Sequence, residues 1–399
     1  QDPGDAAIVY LGLPRILTAL SESTYDTVPG ALGEAIIGAG GSTAAVGNSD
    51  GGRRQGEPYR SRPAAVLAMD ASGRVLYGDL SAGLLAENAD APYGVSTDPG
   101  AFESAYRSAL HDTAAHGGPA LIVLDAGDPE RALGFRAEAS PETAEQHRLD
   151  AAATVDAVVA LALEALPDDG VLMVVSTGQV KPAAGPSGYG PMIVAGPGYE
   201  AGLLESSSTH RPGLITHLDV SATILAALEL DRPVEILGNA ASSSPSDESL
   251  DDRVTYLQGM NDAAVAVDTV RPAVQSTYIA VTVIILIVCA ALLRPMERAL
   301  AGWGGRAARL FSAVILLLLA MPVSATLMYL FARRPDSAFA VGSLFAVTTL
   351  VVWTVVLGIA RRWGSAHALA AMGLLTAGTL LADQLFGAPL SVSGLVGYS

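Results

Sequence analysis

The chain offers almost no sulfur chemistry. Its 399 residues contain one cysteine, Cys289, so an internal disulfide and a Cys-based metal site are both excluded. Basic residues are scarce over the first 272 positions, where 15 Lys and Arg face 37 Asp and Glu. A surface so acidic repels nucleic acid and anionic lipid surfaces, which argues against both as partners of that region. Its simplest role is solubility. No basic-then-apolar leader precedes the first structured pattern, and the chain opens on Gln1-Asp2-Pro3 and closes on Gly397-Tyr398-Ser399. These ends are expected to be those of a fragment whose targeting segment lies elsewhere.

Charge is missing altogether from Thr277 to Leu293, TYIAVTVIILIVCAALL. Helical rise makes such a run just long enough to cross a bilayer's hydrocarbon core. Arg294, Arg298, Arg306 and Arg309 follow it, with Glu297 as the single acid among them. By the positive-inside rule this end faces the cytoplasm, which places residues 1–272 outside the cell membrane. Three further spans are read at 310–332, 338–360 and 366–382, the first of them with Pro322 as a tolerated kink. Arg361-Arg362 then falls inside, as the rule asks, whereas Arg333-Arg334 falls outside, against it. The expected protein is a multi-pass cell-membrane protein, with the membrane region at 273–399, a globular region at 1–237, and an acidic Ser-rich linker and stalk at 238–272. The spans are rich in Leu, Val and Ala and show no transport constellation. Asp383 follows the last one at the interface.

The globular region alternates short apolar runs with helical patterns, the mark of an α/β fold with a largely parallel sheet and flanking helices. Strands are predicted at Ala7–Leu11, Thr43–Val46, Val171–Val175 and Met192–Ala195. Ala120–Leu124, apolar throughout, is predicted to be central. Ala64–Met69 and Arg74–Tyr77 are predicted to form a hairpin around Asp70-Ala71-Ser72-Gly73. Helices are predicted over Pro29–Gly38, Pro99–His116, Pro141–Leu166 and Val220–Leu230, the last capped by Asp219.

Three stretches of residues 28–230 carry a family resemblance. They are Leu32-Gly33-Glu34-Ala35 through Asn48, Pro191 through Gly198, and Thr209-His210-Arg211-Pro212-Gly213 through Leu218-Asp219-Val220-Ser221-Ala222-Thr223-Ile224-Leu225. Together they resemble the alkaline phosphatase superfamily: its helix, glycine turn and strand after the nucleophile, its late strand and turn, and its closing His-containing loop. Ala222 stands where that family has proline. A domain of this kind joined to several spans also resembles uncharacterised bacterial envelope proteins and the lipid-linked phosphoethanolamine transferases. The resemblance implies phosphate- or sulfate-ester chemistry on a Ser/Thr nucleophile, with two divalent metals held by Asp and His at strand ends.

Several of those ligands are replaced. After Ala120–Leu124 come Asp125-Ala126-Gly127-Asp128, carboxylates without the imidazole. After Val171–Val175 come Ser176-Thr177-Gly178-Gln179 in place of Asp-His-Gly. No nucleophile motif precedes Pro29, where Ser21, Ser23, Thr24 and Thr27 are merely available hydroxyls. Asp125, Asp128 and His210 are the residues from which a Zn, Mn or Mg site would be rebuilt if the domain were active. Each also has a structural account: turn and cap hydrogen bonds for the aspartates, a solvated turn for the histidine. Gly196-Pro197-Gly198 reads as a turn, Asp219 as a cap, and His111, His116 and His147 as surface positions.

Three functions remain open. One is a degenerate, non-catalytic phosphatase-like domain, without cofactor, that binds or scaffolds envelope glycans, phospho-lipid intermediates or other membrane proteins. The second is an active metal-dependent phosphoester hydrolase or phosphoethanolamine-type transferase. The third is a transporter or channel subunit.

Overall fold

The computed structural model describes residues 5–22, 27–54, 57–176, 188–292, 306–331 and 337–385. They form two compact units, one of Gln1–Val175 with Met192–Ser246 and one of Ser176–Pro191 with Asp247–Ser399.

The first unit opens with β1 (Ile8–Val9), α1 (Leu13–Ser21), α2 (Ala31–Gly38) and β2 (Ser42–Gly47). A short pair, β3 (Arg53–Arg54) and β4 (Glu57–Pro58), precedes α3 (Pro63–Ala68), β5 (Arg74–Val75) and β6 (Tyr77–Asp79). Then follow β7 (Leu85–Glu87), β8 (Val95–Thr97), α4 (Pro99–His116), β9 (Ala120–Asp125), α5 (Asp128–Phe135) and α6 (Pro141–Glu164). The unit ends with β10 (Leu172–Val175), β11 (Met192–Ala195), β12 (Gly202–Glu205), α7 (His217–Ala227) and β13 (Ser242–Pro245).

Its centre is a three-stranded parallel sheet in the order β6-β2-β9. Side chains alternate along β2 as a pleat requires. Ala44 and Val46 pack with Phe102 and Ala109 of α4, whereas Ala45 packs with Ala64, Ala65 and Ala68 of α3. Every residue of β2 is buried. Small side chains suit that position because helices lie on both faces of the strand and approach it closely.

The parallel sheet agrees with the sequence reading, but its extent and order do not. The apolar β9 is an edge of the sheet, not its centre. A strand reads as continuously apolar when both of its faces are covered, and α3 and α4 cover β9 with no further strand beside it among the described residues. The other strands pair antiparallel, β1 with β5, β10 with β11 and β12 with β13.

Three local expectations are corrected as well. Ala64–Met69 is no hairpin strand: Pro63 starts a helix there, its fixed φ suiting a first helical position. The turn after it does form, with Asp70 accepting from Ser72 N–H, the Ser72 hydroxyl and Arg74 N–H at 2.7–2.9 Å. β5 then pairs with β1, not with this segment. The Ser-rich stretch read as linker contributes β13, hydrogen-bonded to β12 with Ser242 opposite Glu205. Serines that look like linker by composition pair perfectly well as a strand, since a ladder needs only their backbone.

In the second unit α8 runs unbroken from Leu250 to Leu292 through Pro272, about 64 Å at helical rise. It is followed by α9 (Arg306–Leu327), α10 (Ala338–Trp363) and α11 (Ser365–Leu385). Among the described residues, three stretches are long and apolar enough to cross a membrane: Ser312–Leu330, Ala338–Trp363 and Ser365–Asp383. The run expected as the first span is helical to Leu292; Leu293, Ala332 and the arginines at 294, 298, 333 and 334 lie outside the described residues. Ile279, Ile284 and Ile287 on α8 are each about 60% exposed, a surface suited to lipid and costly in water. Ala266 and Val267 pack instead with Met328, Tyr329, Val341 and Phe345. The helix–helix core therefore begins in what composition marks as stalk.

Candidate functional site

Open α/β sheets place ligand groups beyond the carboxyl ends of their strands. Here those ends are Gly47 and Asp125, which face each other in register across β2 and β9. Gly47 has φ +137°, and a Cβ on it would lie 2.1 Å from the Asp125 carbonyl oxygen, so the close approach of the two strands depends on glycine.

Beyond Gly47 the chain turns through Asn48-Ser49-Asp50. Asn48 Oδ1 accepts from the Asp50 N–H at 2.8 Å, and its Nδ2 donates to Ser81 O at 2.8 Å. Ser49 Oγ donates to Asp125 Oδ2 at 2.6 Å, while Gly127 N–H donates to Asp125 Oδ1 at 3.1 Å. Asp50 holds Arg62 in a two-toothed pair, Nη2 to Oδ2 at 2.5 Å and Nε to Oδ1 at 3.1 Å.

Asp128 opens α5 and Arg131 lies one turn later on the same face. Arg131 Nη2 sits 3.1 Å from Asp128 Oδ1 and donates to Thr97 Oγ1 at 2.9 Å. Its Nη1 donates to Asn48 O at 2.6 Å and reaches Asp50 O at 3.3 Å. The Thr97 N–H lies 3.3 Å from both Asp128 oxygens, and the Thr97 hydroxyl donates to Ala126 O. At 1% exposure Arg131 is among the most deeply buried side chains of the unit. It ties β2, β8 and α5 together at one point.

Electrostatically this edge is close to balanced. Three carboxylates, Asp50, Asp125 and Asp128, meet two guanidinium groups, Arg62 and Arg131. A hard divalent cation wants several anionic oxygens free to face it. Asp50 and Asp128 already face arginines. Burial pushes the Asp125 carboxyl above the usual aspartate range, against the hydrogen bonds from Ser49 and Gly127 and the nearby Arg131.

A raised carboxyl pKa has a definite sign in stability. The charged form is disfavoured in the fold, so Asp125 opposes folding above its unfolded pKa, and the penalty fades as pH falls. Asp125→Asn is therefore expected to match or exceed the native melting temperature at pH 7 and to lose that advantage below about pH 4. A fall in melting temperature at neutral pH would show that the charge is needed there.

Of the three residues read as metal ligands, the structure brings two into this one network and not the third. Asp125 and Asp128 are spent on Ser49, Gly127, Thr97 and Arg131. His210 closes a separate turn, its N–H donating to Ser206 O at 3.0 Å, with φ +52° and an exposed ring. No three His, Cys, Asp or Glu side chains come together as a metal site among the described residues.

Near His210 lies a second polar centre, around Asp219. This side chain is fully buried and accepts from Ser208 Oγ at 2.6 Å, Thr216 N–H at 2.8 Å and Asn239 N–H at 2.8 Å. Burial alone would raise its pKa, but the bonds from Asn239, Ser208 and Thr216 outweigh that and hold it below the usual range. Asp219 does cap α7, but from the third helical position: the N-cap is Thr216, and the Asp219 carboxylate reaches back to its N–H in a capping box.

His147 is also corrected. It is 7% exposed, its Nε2 lies 3.1 Å from Asp90 O, and its ring packs at 5.6 Å from that of Phe135. His111 and His116 are exposed as expected. Sequence reasoning passed over Asn48, Ser49, Arg62, Thr97 and Arg131. The only signal was local, an aspartate and an arginine three apart on a helix. Of the hydroxyls noted upstream, Ser23 and Thr24 lie outside the described residues, as do Thr177, Gly178 and Gln179 after β10.

The chain matches no protein-family model, no curated protein and no solved structure.

Proposed function

We propose that the chain is a multi-pass membrane protein of the bacterial envelope whose globular unit, phosphatase-like in descent and extracytoplasmic in location, binds a partner and does not catalyse ester hydrolysis. One observation carries the reading. At the carboxyl edge of the parallel sheet, Arg131 pairs with Asp128, Ser49 and Gly127 hold Asp125, and Arg62 pairs with Asp50, so the carboxylates that a phosphatase-like site would turn toward cations already have protein partners. A buried guanidinium with four oxygen partners is a structural clamp; it cannot leave without stranding Asp128.

The placement outside the membrane rests on the arginines after the first apolar run and on the three apolar helices that follow it. The kinship with phosphatases rests on the three sequence stretches and on the parallel order of β6, β2 and β9. Envelope glycans, phospho-lipid intermediates and neighbouring membrane proteins are the partners this location offers.

The test uses the full chain purified in mild detergent. Metal analysis is expected to find no stoichiometric Zn, Mn or Mg, and nitrophenyl phosphate no turnover that Asp125→Ala or Asp128→Ala abolishes. Stoichiometric metal together with turnover that depends on those residues would make the protein an enzyme. For location, a Cys289→Ser background carries one new cysteine at Glu138 or at Ser365. An impermeant maleimide added to intact cells should label the first and spare the second. The opposite pattern would invert the topology.

A further inference from the structure

Residues 1–272 carry 15 basic against 37 acidic groups, and that average hides one local reversal of sign. Four of the fifteen, Arg53, Arg54, Arg60 and Arg62, fall within ten positions that contain a single acid, Glu57. They lie on the stretch of chain that leaves the carboxyl end of β2. There β3 and β4 pair antiparallel as a hairpin, with Arg53 opposite Pro58 and Arg54 opposite Glu57.

The hairpin stands on a fixed root. Ser49 N–H donates to Ser61 O at 3.2 Å, Gly51 N–H to Tyr59 O at 3.3 Å and Tyr59 N–H to Gly52 O at 3.1 Å. Asp50 closes the base, accepting from Ser61 N–H at 2.9 Å as well as from Arg62. The Tyr93 ring lies against the two glycines: a Cβ on Gly51 would meet its Cδ2 at 2.9 Å, and one on Gly52 its Cε1 at 2.6 Å. Arg131 holds the Asn48 and Asp50 carbonyls of the same root. Arg62 belongs to this base. Arg60 is exposed, and Arg53 and Arg54 stand further along, on β3.

We propose that this hairpin docks on the headgroups of an anionic lipid bilayer, with Arg53, Arg54 and Arg60 supplying the charge. Charges more than about 8 Å away are largely screened at physiological salt, so the hairpin meets a surface with its own sign and not with that of the whole unit. A two-stranded hairpin offers an edge and two faces, not the walls that enclose a small ligand. A plane of many phosphates suits it, and each arginine near such a plane adds about fivefold to binding. The apolar helices of the second unit hold the chain at a bilayer, and a tethered contact forms at high effective concentration. The fixed root keeps the ordering cost of docking low.

This deepens the binding-module reading and rests on its membrane anchorage, but the two fail separately. Metal content, turnover and maleimide labelling test that reading, whereas lipid quenching tests the hairpin. The full chain, in a Cys289→Ser background, carries a fluorophore on Pro58→Cys or, for reference, on Asp168→Cys, an exposed position between α6 and β10. It is placed in nanodiscs of phosphatidylcholine with or without about 30% phosphatidylglycerol, each with a trace of lipid bearing a headgroup nitroxide. Quenching at position 58 is expected to be at least about threefold stronger with phosphatidylglycerol and to fall to the phosphatidylcholine level in about 0.5 M salt. Position 168 should respond to neither change.

Arg53→Gln/Arg54→Gln/Arg60→Gln leaves Arg62 and the root intact and should abolish the difference between the two lipids. The lipid and salt comparisons use the native arginines, so they decide the matter even if the triple variant misfolds. Quenching at position 58 that ignores phosphatidylglycerol or salt, or that survives the triple variant, would overturn the proposal. So would a position 58 that no lipid quenches but that cross-links in cells to an acidic neighbouring protein, which would assign the hairpin to that partner instead.

Discussion

Arg131→Met is expected to destabilise the globular unit by about 3–5 kcal/mol. The substitution keeps most of the side chain's volume but removes the donors to Asn48 O, Asp50 O and Thr97 Oγ1 and the ion pair with Asp128. Arg131 is 1% exposed and Asp128 8%, so the carboxylate left behind cannot recover its hydration. Breaking one half of such a pair costs about that much. The double variant Asp128→Asn/Arg131→Met strands no charge and should recover at least about 2 kcal/mol of the loss.

All three tryptophans lie at 303, 353 and 363, so indole fluorescence is blind to this unit. Urea titration followed by hydrogen exchange in β2, β9 and α5 reports on it directly. A single variant that melts like the native chain would mean that water reaches Asp128. A double variant no better than the single one would mean that Arg131 matters for packing alone.

The second large effect belongs to Asp219. Asp219→Ala removes the acceptor shared by Ser208, Thr216 and Asn239 and should cost about 3–4 kcal/mol at neutral pH, as loss of a buried hydrogen-bond network does. Its pKa is held below the usual range in the fold. The stabilisation is therefore complete above the unfolded pKa of about 4 and lost as pH falls through the folded value. The gap between native and variant stability should be flat above about pH 5 and narrow in acid. A gap that widened in acid would reverse the sign and show a protonated carboxyl in the fold. Asp70, held low by bonds from Ser72 and Arg74 against its own burial, should add to the same acid sensitivity.

The chain differs in how openly its parts could be read. Helices announced themselves wherever local chemistry defines both ends. Pro99–His116 is the clearest case: Asp98 Oδ1 accepts from Ala101 N–H at 2.9 Å, Pro99 opens the helix, and Gly117 ends it at φ +78°. Asp70-Ala71-Ser72-Gly73 was equally legible as a turn, since aspartate takes the N–H two residues on. The strand flanking it was not. Ala64–Met69 is apolar and short, a pattern shared by buried helix and buried strand, and periodicity cannot separate the two.

The edge of the sheet was legible only in half. Asp125 and Asp128 could be placed at a strand end because an apolar run stops before them. The i, i+3 spacing lets Asp128 face Arg131, but it does not decide between that and solvent or an ion. Arg131's other partners are 34 to 83 residues away in the chain, and only folding brings them together. His147 misled for the same reason: its helix is polar around it, but Phe135 and Asp90 cover it from elsewhere.

Sequence alone decided what composition and chain-local rules can carry: an acidic α/β globular region without disulfides, helices apolar enough for a bilayer, and carboxylates waiting at a strand end. Tertiary structure decided what those carboxylates do. Whether a buried acid meets a cation, a hydroxyl or a backbone N–H depends on groups remote in sequence, and at this sheet edge two arginines arrived first.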